Sequence, residues 1–390
     1  MIKWLPALLI VVLFIGCKKA FNPPGALANT NKYLVVDGII NSGSDSTFIK
    51  LSRTKEFSIP IVLDHETGAQ VSVESDANSS YPLSEISPGT YSAAPLNLNN
   101  SHKYRLRIKT SDNKEYLSDF VAVKNAPPVD SVGFKAQSDG VHIYVNTHDG
   151  NNATRYYRWE FNEAWQFHSW YQSFWIGTGR RQQDQYRYYC FSGDTSRSIL
   201  IGSSAQLSSD VIFQAPIATV PANSEKIEAK YSILVKQYAL TIDAYNFWTN
   251  LEKNNEEMGS IFDAQPSVNQ TNYHCLSDPG EIVVGYLSVG SSSSKRIFIT
   301  ASQLLPSYQP ADAYGCRIDT EYASKAPNYN HPPGETAPNL SDPNSGYTSI
   351  EGLFYSPPLP FGAPNAITYS TTICDDCTVR GTLTAPAFWK

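Results

Sequence analysis

The sequence has few charges and no excess of basic residues. Of its 390 residues only 17% are charged, whereas 41% are hydrophobic. The chain can therefore bury enough surface to offset its conformational entropy, which excludes an intrinsically disordered protein. The formal net charge of -6 supplies no basic field for a polyanion, so we expect no nucleic-acid partner.

Helix-favouring composition is also missing. There are only 2 Met, against 24 Tyr, 17 Phe, 23 Gly and 25 Pro. Aromatic residues favour pleated surfaces, and Gly and Pro favour turns. The composition thus argues against an all-helical protein.

Motifs for catalysis and metal binding are absent as well. The seven histidines show no HExxH or other ligand spacing, and the chain has no GxSxG, phosphate-binding glycine loop or dinucleotide fingerprint. On a strand Glu160 and Glu163 would point to opposite faces, which does not support a glycosidase pair. The Asp-Gly-Asn-Asn run at 149–152 is explained more simply by a turn than by a calcium site. We predict a protein that is not an enzyme, with no catalytic residue, metal or cofactor.

The one long apolar run lies at the N-terminus. Lys3 precedes an apolar stretch that ends in Gly16-Cys17. About 15 apolar residues fall short of the ~20 that a membrane helix needs, so the run is typical of an export signal. Its ending resembles the bacterial lipobox, which predicts a signal peptide over residues 1–16 and a lipid on Cys17; an ordinary signal peptide that contains a cysteine is the alternative. Residues 17–31 form a tether without an acidic export tag, so this segment does not determine which membrane leaflet the protein faces.

Five cysteines follow the leader, and an exported chain meets an oxidising compartment that favours disulfides. They are Cys190, Cys275, Cys316, Cys374 and Cys377. A redox motif or half a zinc site is the alternative for the CxxC at 374–377. Its flanks indicate extended chain, and no second ligand pair exists. We predict structural disulfides, at least one of which ties the C-terminal extension to itself.

Apolar and polar residues alternate from Lys32 onward, most clearly over 102–109. Short strands and polar turns predict an N-terminal β-sandwich over 32–125 and a second sandwich over 129–305. Residues 306–390, with 12 of the 25 prolines, predict an irregular Pro-rich extension with one or two edge strands. The expected fold class is mainly β, with two tandem immunoglobulin-like β-sandwich modules.

One insertion in the second module is predicted to be helical. Apolar residues recur there at helical spacing, at Ala244, Phe247, Trp248 and Leu251. Thr241 suits an N-cap, and Gly259 suits the C-terminal stop. We expect the stripe to pack onto the sandwich.

Aromatic residues are concentrated between Tyr156 and Phe191, with 14 in 36 residues. We assign Tyr157, Trp159 and Phe161 to the core, because alternating strands hide about half of such residues. Aromatics mixed with Arg and Gln are typical of recognition surfaces. We therefore predict contacts with a partner or ligand from Trp165, Phe167, Trp170, Tyr171, Trp175, Arg180 and Arg181.

Eight segments along the mature chain have a familiar pattern. They are Tyr33–Ile40, Leu51–Thr54, Arg155–Phe161, Ser198–Gly202, Tyr231–Tyr238, Gly259–Ser267, Arg296–Ile299 and Cys374–Gly381. Together they resemble the Bacteroidota lipoproteins known only as domain of unknown function DUF4249. The resemblance implies a lipid-anchored outer-membrane protein at the cell surface, paired with a TonB-dependent receptor barrel and without recognised catalytic residues.

The expected function is that of an accessory or ligand-capturing partner of such a receptor, with a small-molecule or oligomeric nutrient as the cargo. A structural or adhesive subunit of an outer-membrane complex, without cargo, is the alternative. An enzyme that acts on surface polymers ranks third, because the sequence foretells no pocket with converging carboxylates.

Overall fold

The computed structural model describes residues 32–54, 64–173, 175–176, 179–180, 187–256, 271–322, 347–354 and 366–389. The predicted signal peptide, lipid site at Cys17, tether and helix stop at Gly259 lie outside these residues. Within them strands dominate, which confirms the mainly β class. No helix in the described part of the chain is long and apolar enough to cross a membrane.

The described strands are numbered here in chain order. The first eleven are β1 (Leu34–Asn41), β2 (Thr47–Arg53), β3 (Asp64–His65), β4 (Gln70–Ser75), β5 (Ser80–Ser87), β6 (Thr90–Ala93), β7 (Lys103–Lys109), β8 (Glu115–Ser118), β9 (Val121–Ala122), β10 (Val129–Gln137) and β11 (Gly140–His148). The next seven are β12 (Tyr156–His168), β13 (Trp175–Ile176), β14 (Gly179–Arg180), β15 (Tyr189–Thr195), β16 (Leu200–Ser203), β17 (Val211–Pro221) and β18 (Lys230–Ala239). The last seven are β19 (Tyr273–Cys275), β20 (Val283–Val284), β21 (Ser288–Gly290), β22 (Ser293–Thr300), β23 (Asp319–Tyr322), β24 (Tyr347–Phe354) and β25 (Ala366–Thr371).

Helices are few in the described residues. The two α-helices are α1 (Ile242–Glu256) and α2 (Thr372–Asp375). Short 3₁₀ turns occur at Glu225–Ile227, Ala301–Gln303 and Cys377–Val379.

Strands β1 to β9 and β19 to β21 form one curled sheet, called the barrel below. Its order is β19-β8-β7-β4-β5-β6-β2-β1-β20, with β21 on β1, β3 on β2 and β9 on β7. Its two end strands, β19 and β20, lie close together in the chain, and the sheet is nearly closed. Alternation along each strand directs one set of side chains inward, among them Leu34, Ile49 and Leu106, which are buried.

Strands β19 to β21 lie within the range 129–305 assigned above to the second module, yet they pair with the barrel. Tyr273 of β19 pairs with Ser118, and β20 and β21 run parallel to β1. Val283 and Val289 complete the barrel core. Parallel pairing requires a long crossover, which the second module supplies. The sequence ranges therefore do not coincide with the two bodies in space.

The second body is a sandwich of two facing sheets. One sheet has the order β10-β11-β17, and the other has the order β15-β12-β18-β22 with β16 also on β12. Buried residues of both sheets form one core, including Ile143 of β11, Trp159 of β12 and Val235 of β18. The indole nitrogen of Trp159 donates to the buried amide oxygen of Gln237 at 2.9 Å, so its polar atom is satisfied within the core.

Helix α1 confirms the predicted insertion and its cap. The Thr241 hydroxyl accepts a hydrogen bond from the amide of Ala244 at 3.2 Å, as an N-cap does. Ala244 and Phe247 are buried. Phe247 lies 5.4 Å from Tyr286 of the barrel, measured between ring centroids. The helix therefore packs on the barrel as well as on the sandwich.

The C-terminal extension contains more regular structure than its prolines suggest. Strands β23, β25 and β24 form a three-stranded sheet in that order. Nine of the 12 prolines fall in the chain segments between these strands, so they do not interrupt the pairing. Near the end of the chain, the ring of Trp389 packs against Phe191 and Phe298, with centroid distances of 5.2 Å and 5.7 Å.

The barrel and the sandwich are joined by two chain segments that touch. The amide of Lys124 donates to the carbonyl of Val289 at 2.8 Å, and the amide of Ala126 donates to Ser291 at 3.1 Å. Gly290 lies between these bonds, where an added Cβ would be 1.8 Å from the carbonyl oxygen of Lys124. Only glycine permits this close approach.

Candidate functional site

The aromatic segment divides into a buried part and an exposed part. Strand β12 continues to His168, seven residues beyond the predicted core stretch, and its alternation continues with it. Trp165 and Phe167 therefore face the sandwich core and are buried. This corrects their assignment to a recognition surface. Tyr157 and Trp159 are buried as predicted, whereas Phe161 is only partly buried.

The exposed part is centred on Trp170, whose side chain is 42% exposed. His168, two residues before it, stacks on Tyr188 at 4.9 Å between ring centroids, and Tyr188 meets Tyr189 edge-on at 4.7 Å. We call His168, Trp170, Tyr188 and Tyr189 the aromatic cluster, in which Trp170 and Tyr189 are exposed and His168 and Tyr188 are half-buried. The backbone of Trp175 and Arg180 forms the β13–β14 hairpin, but their side chains and all of Arg181 lie outside the described residues.

His168 links this cluster to the sandwich by an ion pair. Its Nε2 lies 2.7 Å from a carboxylate oxygen of Glu228. The hydrogen bond to Glu228 raises the pKa of His168, and it outweighs burial, which acts in the opposite direction. The imidazole therefore keeps its positive charge to a higher pH than an exposed histidine does.

Two disulfides fix the C-terminal extension, one to the aromatic segment and one within the extension itself. Cys190 is bonded to Cys377, and Cys316 is bonded to Cys374. The second bond confirms the predicted link within the extension. The two cysteines of the CxxC thus have separate distant partners, which agrees with structural disulfides rather than with a redox or zinc motif. Cys275 is not bonded: it is a free, buried thiol of β19, which corrects its place among the disulfide candidates.

Tyr171 connects to the same extension. Its amide donates to the carbonyl of Cys374 at 2.9 Å, and its hydroxyl donates to the carbonyl of Cys316 at 3.1 Å. The partner contact expected for Tyr171 is thus, in this structure, a contact within the chain.

A second candidate is an open cavity of about 520 Å³ between the barrel and the sandwich, called the junction cleft. Residues of β1 and β2 form its barrel wall, where Asp37 pairs in register with Lys50 and Ile39 pairs with Phe48. All four belong to the outward faces of these strands, because the alternate residues fill the barrel core.

Residues of β12 and β18 form the opposite, sandwich wall of the junction cleft. Arg158 pairs in register with Tyr238, and Glu160 pairs with Lys236. Glu163, by contrast, accepts a hydrogen bond from the buried Tyr231 hydroxyl at 2.7 Å on the other face of the sheet. Glu160 and Glu163 therefore point apart, as predicted.

The sandwich wall is held together by Glu160. One carboxylate oxygen lies 2.7 Å from a guanidinium nitrogen of Arg158, and the other accepts a hydrogen bond from the Tyr238 hydroxyl at 3.0 Å. Burial and the negative charge of Glu160 raise the pKa of Tyr238. The phenol therefore stays protonated, which makes it a poor nucleophile.

Four other charged groups line the junction cleft without an ion-pair partner among the described residues. They are Asp37, Asp45, Lys50 and Lys236. Phe48 lies beside them with 50% of its side chain exposed. The cleft thus offers charges of both signs and one aromatic face to a polar ligand.

A second cavity, of about 550 Å³, lies at one end of the barrel. Guanidinium nitrogens of Arg53 lie 2.5 Å from a carboxylate oxygen of Glu66 and 3.3 Å from one of Glu281. The Lys114 ammonium lies 2.6 Å from the other carboxylate oxygen of Glu281. The Tyr116 hydroxyl also donates to Glu281 at 2.7 Å. Since these groups neutralise one another, we interpret them as a structural network and place the candidate binding site in the junction cleft.

Metal chemistry has no focus in the described residues, where no group of three His, Cys, Asp or Glu is placed to hold an ion. The Asp149 carboxylate accepts the amides of Asn151, Ala153 and Thr154 at 2.9 to 3.0 Å. It therefore fixes a turn, in agreement with the simpler of the two interpretations above.

The sequence contained part of the signal for the junction cleft. The polar faces of the strands around Lys50 and Arg158 follow from alternation alone. Their apposition depends on the return of β19 to β21 to the barrel, which no local pattern reveals.

Comparison with known proteins assigns the chain to a family. No curated protein matches the chain. One family model, described as a domain of unknown function (DUF4249), matches residues 20–296, which is more than half of the chain and spans both walls of the junction cleft. The chain therefore belongs to the DUF4249 family of proteins of unknown function.

Proposed function

We propose that the protein is a non-catalytic lipoprotein of the outer membrane, anchored through Cys17, that captures a ligand for a TonB-dependent receptor. The leader that ends in Gly16-Cys17 supports the anchor. The resemblance described above supports the surface location and the receptor partner. As part of the same proposal, the second body is an immunoglobulin-like module, which its two facing sheets support.

The junction cleft is the observation that carries ligand capture. It is an open cavity at the boundary between two bodies, where binding sites often occur, and four of its charges are uncommitted. The two short polar contacts of its sandwich wall are the Arg158–Glu160 ion pair and the Tyr238–Glu160 hydrogen bond. Neither joins an activated nucleophile to a base, so this wall is suited to binding rather than to catalysis.

The aromatic cluster is the surface that we assign to the receptor. Exposed aromatic side chains beside charged groups are typical of the central contacts of interfaces. The disulfide Cys190–Cys377 ties the chain beside Tyr189 to the extension, and Cys316–Cys374 closes a loop within the extension, which reduces the entropy lost on docking.

A structural subunit without cargo is the second candidate, and strand β17 favours it. This strand is an edge of its sheet in the described residues. It exposes Val211 and Phe213, the latter with 75% of its side chain accessible. Exposed apolar edges are potential sites for association with another chain.

Purification of the full-length protein from its native membrane tests the proposal. We expect it to be extracted only by detergent, to copurify with a TonB-dependent receptor and to carry a small molecule detectable by native mass spectrometry. The Cys17→Ser variant should be recovered without the lipid and away from the membrane fraction. Copurification with a receptor but without a bound molecule would favour the structural subunit. A monomer that copurifies with no receptor would contradict both candidate functions.

A further inference from the structure

We infer that the junction cleft binds short peptides with both ends free, with the ammonium on the barrel wall and the carboxylate on Lys236 of the sandwich wall. The inference rests on the proposed function, since it names the class of ligand that the cleft captures.

The charges of the two walls have opposite sign. On the barrel side, Asp37 and Asp45 outnumber Lys50, which leaves one negative charge. On the sandwich side, Arg158 and Glu160 form an ion pair at 2.7 Å, which leaves Lys236 as one positive charge. A ligand that complements both walls must itself carry charges of both signs at separate positions.

Ligands of other chemistry do not complement this cleft. A neutral oligosaccharide could hydrogen-bond to Asp37, Asp45 and Lys236 through its hydroxyl groups, but it would supply no counter-charge to any of them. A simple anion would be attracted by Lys236 but repelled by the barrel wall. A purely apolar ligand would leave all of these groups desolvated.

The remaining lining fits the body of a peptide. Ile39 and Phe48 are cross-strand neighbours, and together they offer an apolar face to one side chain of the ligand. Ser46, Ser292 and Ser294 supply hydroxyl groups that can donate to or accept from peptide groups. A cavity of about 520 Å³ lies within the range of roughly 300–1,000 Å³ of small-ligand sites.

The linker between the two bodies is hydrogen-bonded to both of them. The side-chain amide of Gln237 on β18 donates to the carbonyl of Pro127 at 2.9 Å in a buried position. Ser42, which follows β1, donates to the side-chain oxygen of Asn125 at 2.9 Å. A rigid separation between the two charged positions should select peptides by length.

Isothermal titration calorimetry on the full-length protein in detergent tests the inference. The probes are alanine peptides of increasing length with one central phenylalanine, each with free ends and with the ends acetylated and amidated, and cellotetraose as a neutral sugar. We expect one length to bind best, a loss of about tenfold or more on blocking either end, and weaker binding at higher salt.

Variants assign each end of the peptide to a wall. Lys236→Met should remove the preference for a free C-terminus, and Lys236→Arg should retain it. Asp37→Asn should weaken the preference for a free N-terminus. Lys109→Met is the matched control, because Lys109 is exposed on the barrel outside the cleft, and its binding should equal that of the wild type.

Three results overturn the inference: equal binding of free and blocked peptides, binding of cellotetraose in their place, or no binding of any peptide. Copurification of the same preparation with a receptor distinguishes failure of the peptide inference from failure of the proposed function. If the protein copurifies with the receptor but binds no peptide, only the ligand class is refuted. If it binds peptide but does not copurify with a receptor, the receptor role is refuted.

Discussion

Arg158 of β12 lies over the ring of Trp248 of α1, with its guanidinium carbon 3.9 Å from the ring centroid. The same guanidinium is paired with Glu160, so the helix supports the sandwich wall of the junction cleft. A stacked cation of this kind contributes about 0.5–2 kcal/mol, depending on its burial.

The first prediction concerns this stack. Trp248→Ala should lower the free energy of unfolding by about 1–2 kcal/mol in a urea titration, and Trp248→Phe should lower it less, because an aromatic face remains. In a double-mutant cycle with Arg158→Met, we expect a coupling of at least about 0.5 kcal/mol. A cycle that closes additively would show that the stack does not support the cleft.

The second prediction concerns the junction at Gly290. Gly290→Ala places a methyl group against the backbone carbonyl of Lys124, which cannot move without breaking the neighbouring bonds. We expect a loss of about 1–3 kcal/mol or more in thermal or urea unfolding. Gly150→Ala is the control, because an added Cβ there meets nothing within 4 Å. Equal stability of both variants would contradict the packing at the junction.

Local patterns account for much of the fold. The alternation at 102–109 and the spacing of Ala244 and Phe247 correspond to β7 and α1. The cap at Thr241 also followed from residue type. Such features depend on neighbours in sequence, so a single chain suffices to predict them.

The errors have a common physical origin in long-range contacts. The position of Trp165 and Phe167 depends on how far β12 continues, which is set by its pairing with β15 and β18. The free state of Cys275 depends on β19 joining the barrel rather than approaching the extension. The junction cleft requires two distant strand pairs to face each other. Neither composition nor periodicity determines these contacts.

The third prediction is the disulfide pattern and its effect on stability. Non-reducing peptide mapping should find the pairs Cys190–Cys377 and Cys316–Cys374 and a Cys275 thiol that reacts only after unfolding. Replacing Cys190 and Cys377 together by Ser should reduce stability by about 2–4 kcal/mol, because a closed loop is opened in the unfolded chain. Cys275→Ala should leave both pairs intact. A Cys374–Cys377 peptide would contradict the arrangement.

The fourth prediction is a pH dependence at His168. The folded state raises the pKa of this imidazole through Glu228, so its contribution to stability is complete below the unfolded pKa of about 6.5 and is lost as the pH rises through the folded value. His168→Gln should therefore flatten the decline of stability on the alkaline side of pH 6.5. His148 is also paired, with Asp130, but is largely exposed, so His148→Gln should change the profile less. An unchanged slope in His168→Gln would exclude the ion pair as its cause.

The fifth prediction separates recognition from packing in the aromatic segment. Phe167 is fully buried in the sandwich core, so Phe167→Ala should reduce stability by about 3–5 kcal/mol. Trp170 is 42% exposed, and Trp170→Ala should hardly change the unfolding midpoint. If the aromatic cluster contacts the receptor, the same substitution should weaken the complex by about 2 kcal/mol or more, measured by titration with the purified receptor. Trp175→Ala, in the adjacent β13, should act like Trp170→Ala if the surface extends along the hairpin. A Trp170 variant that unfolds early and binds normally would return this side chain to the core, because only a packed residue loses stability without losing a partner.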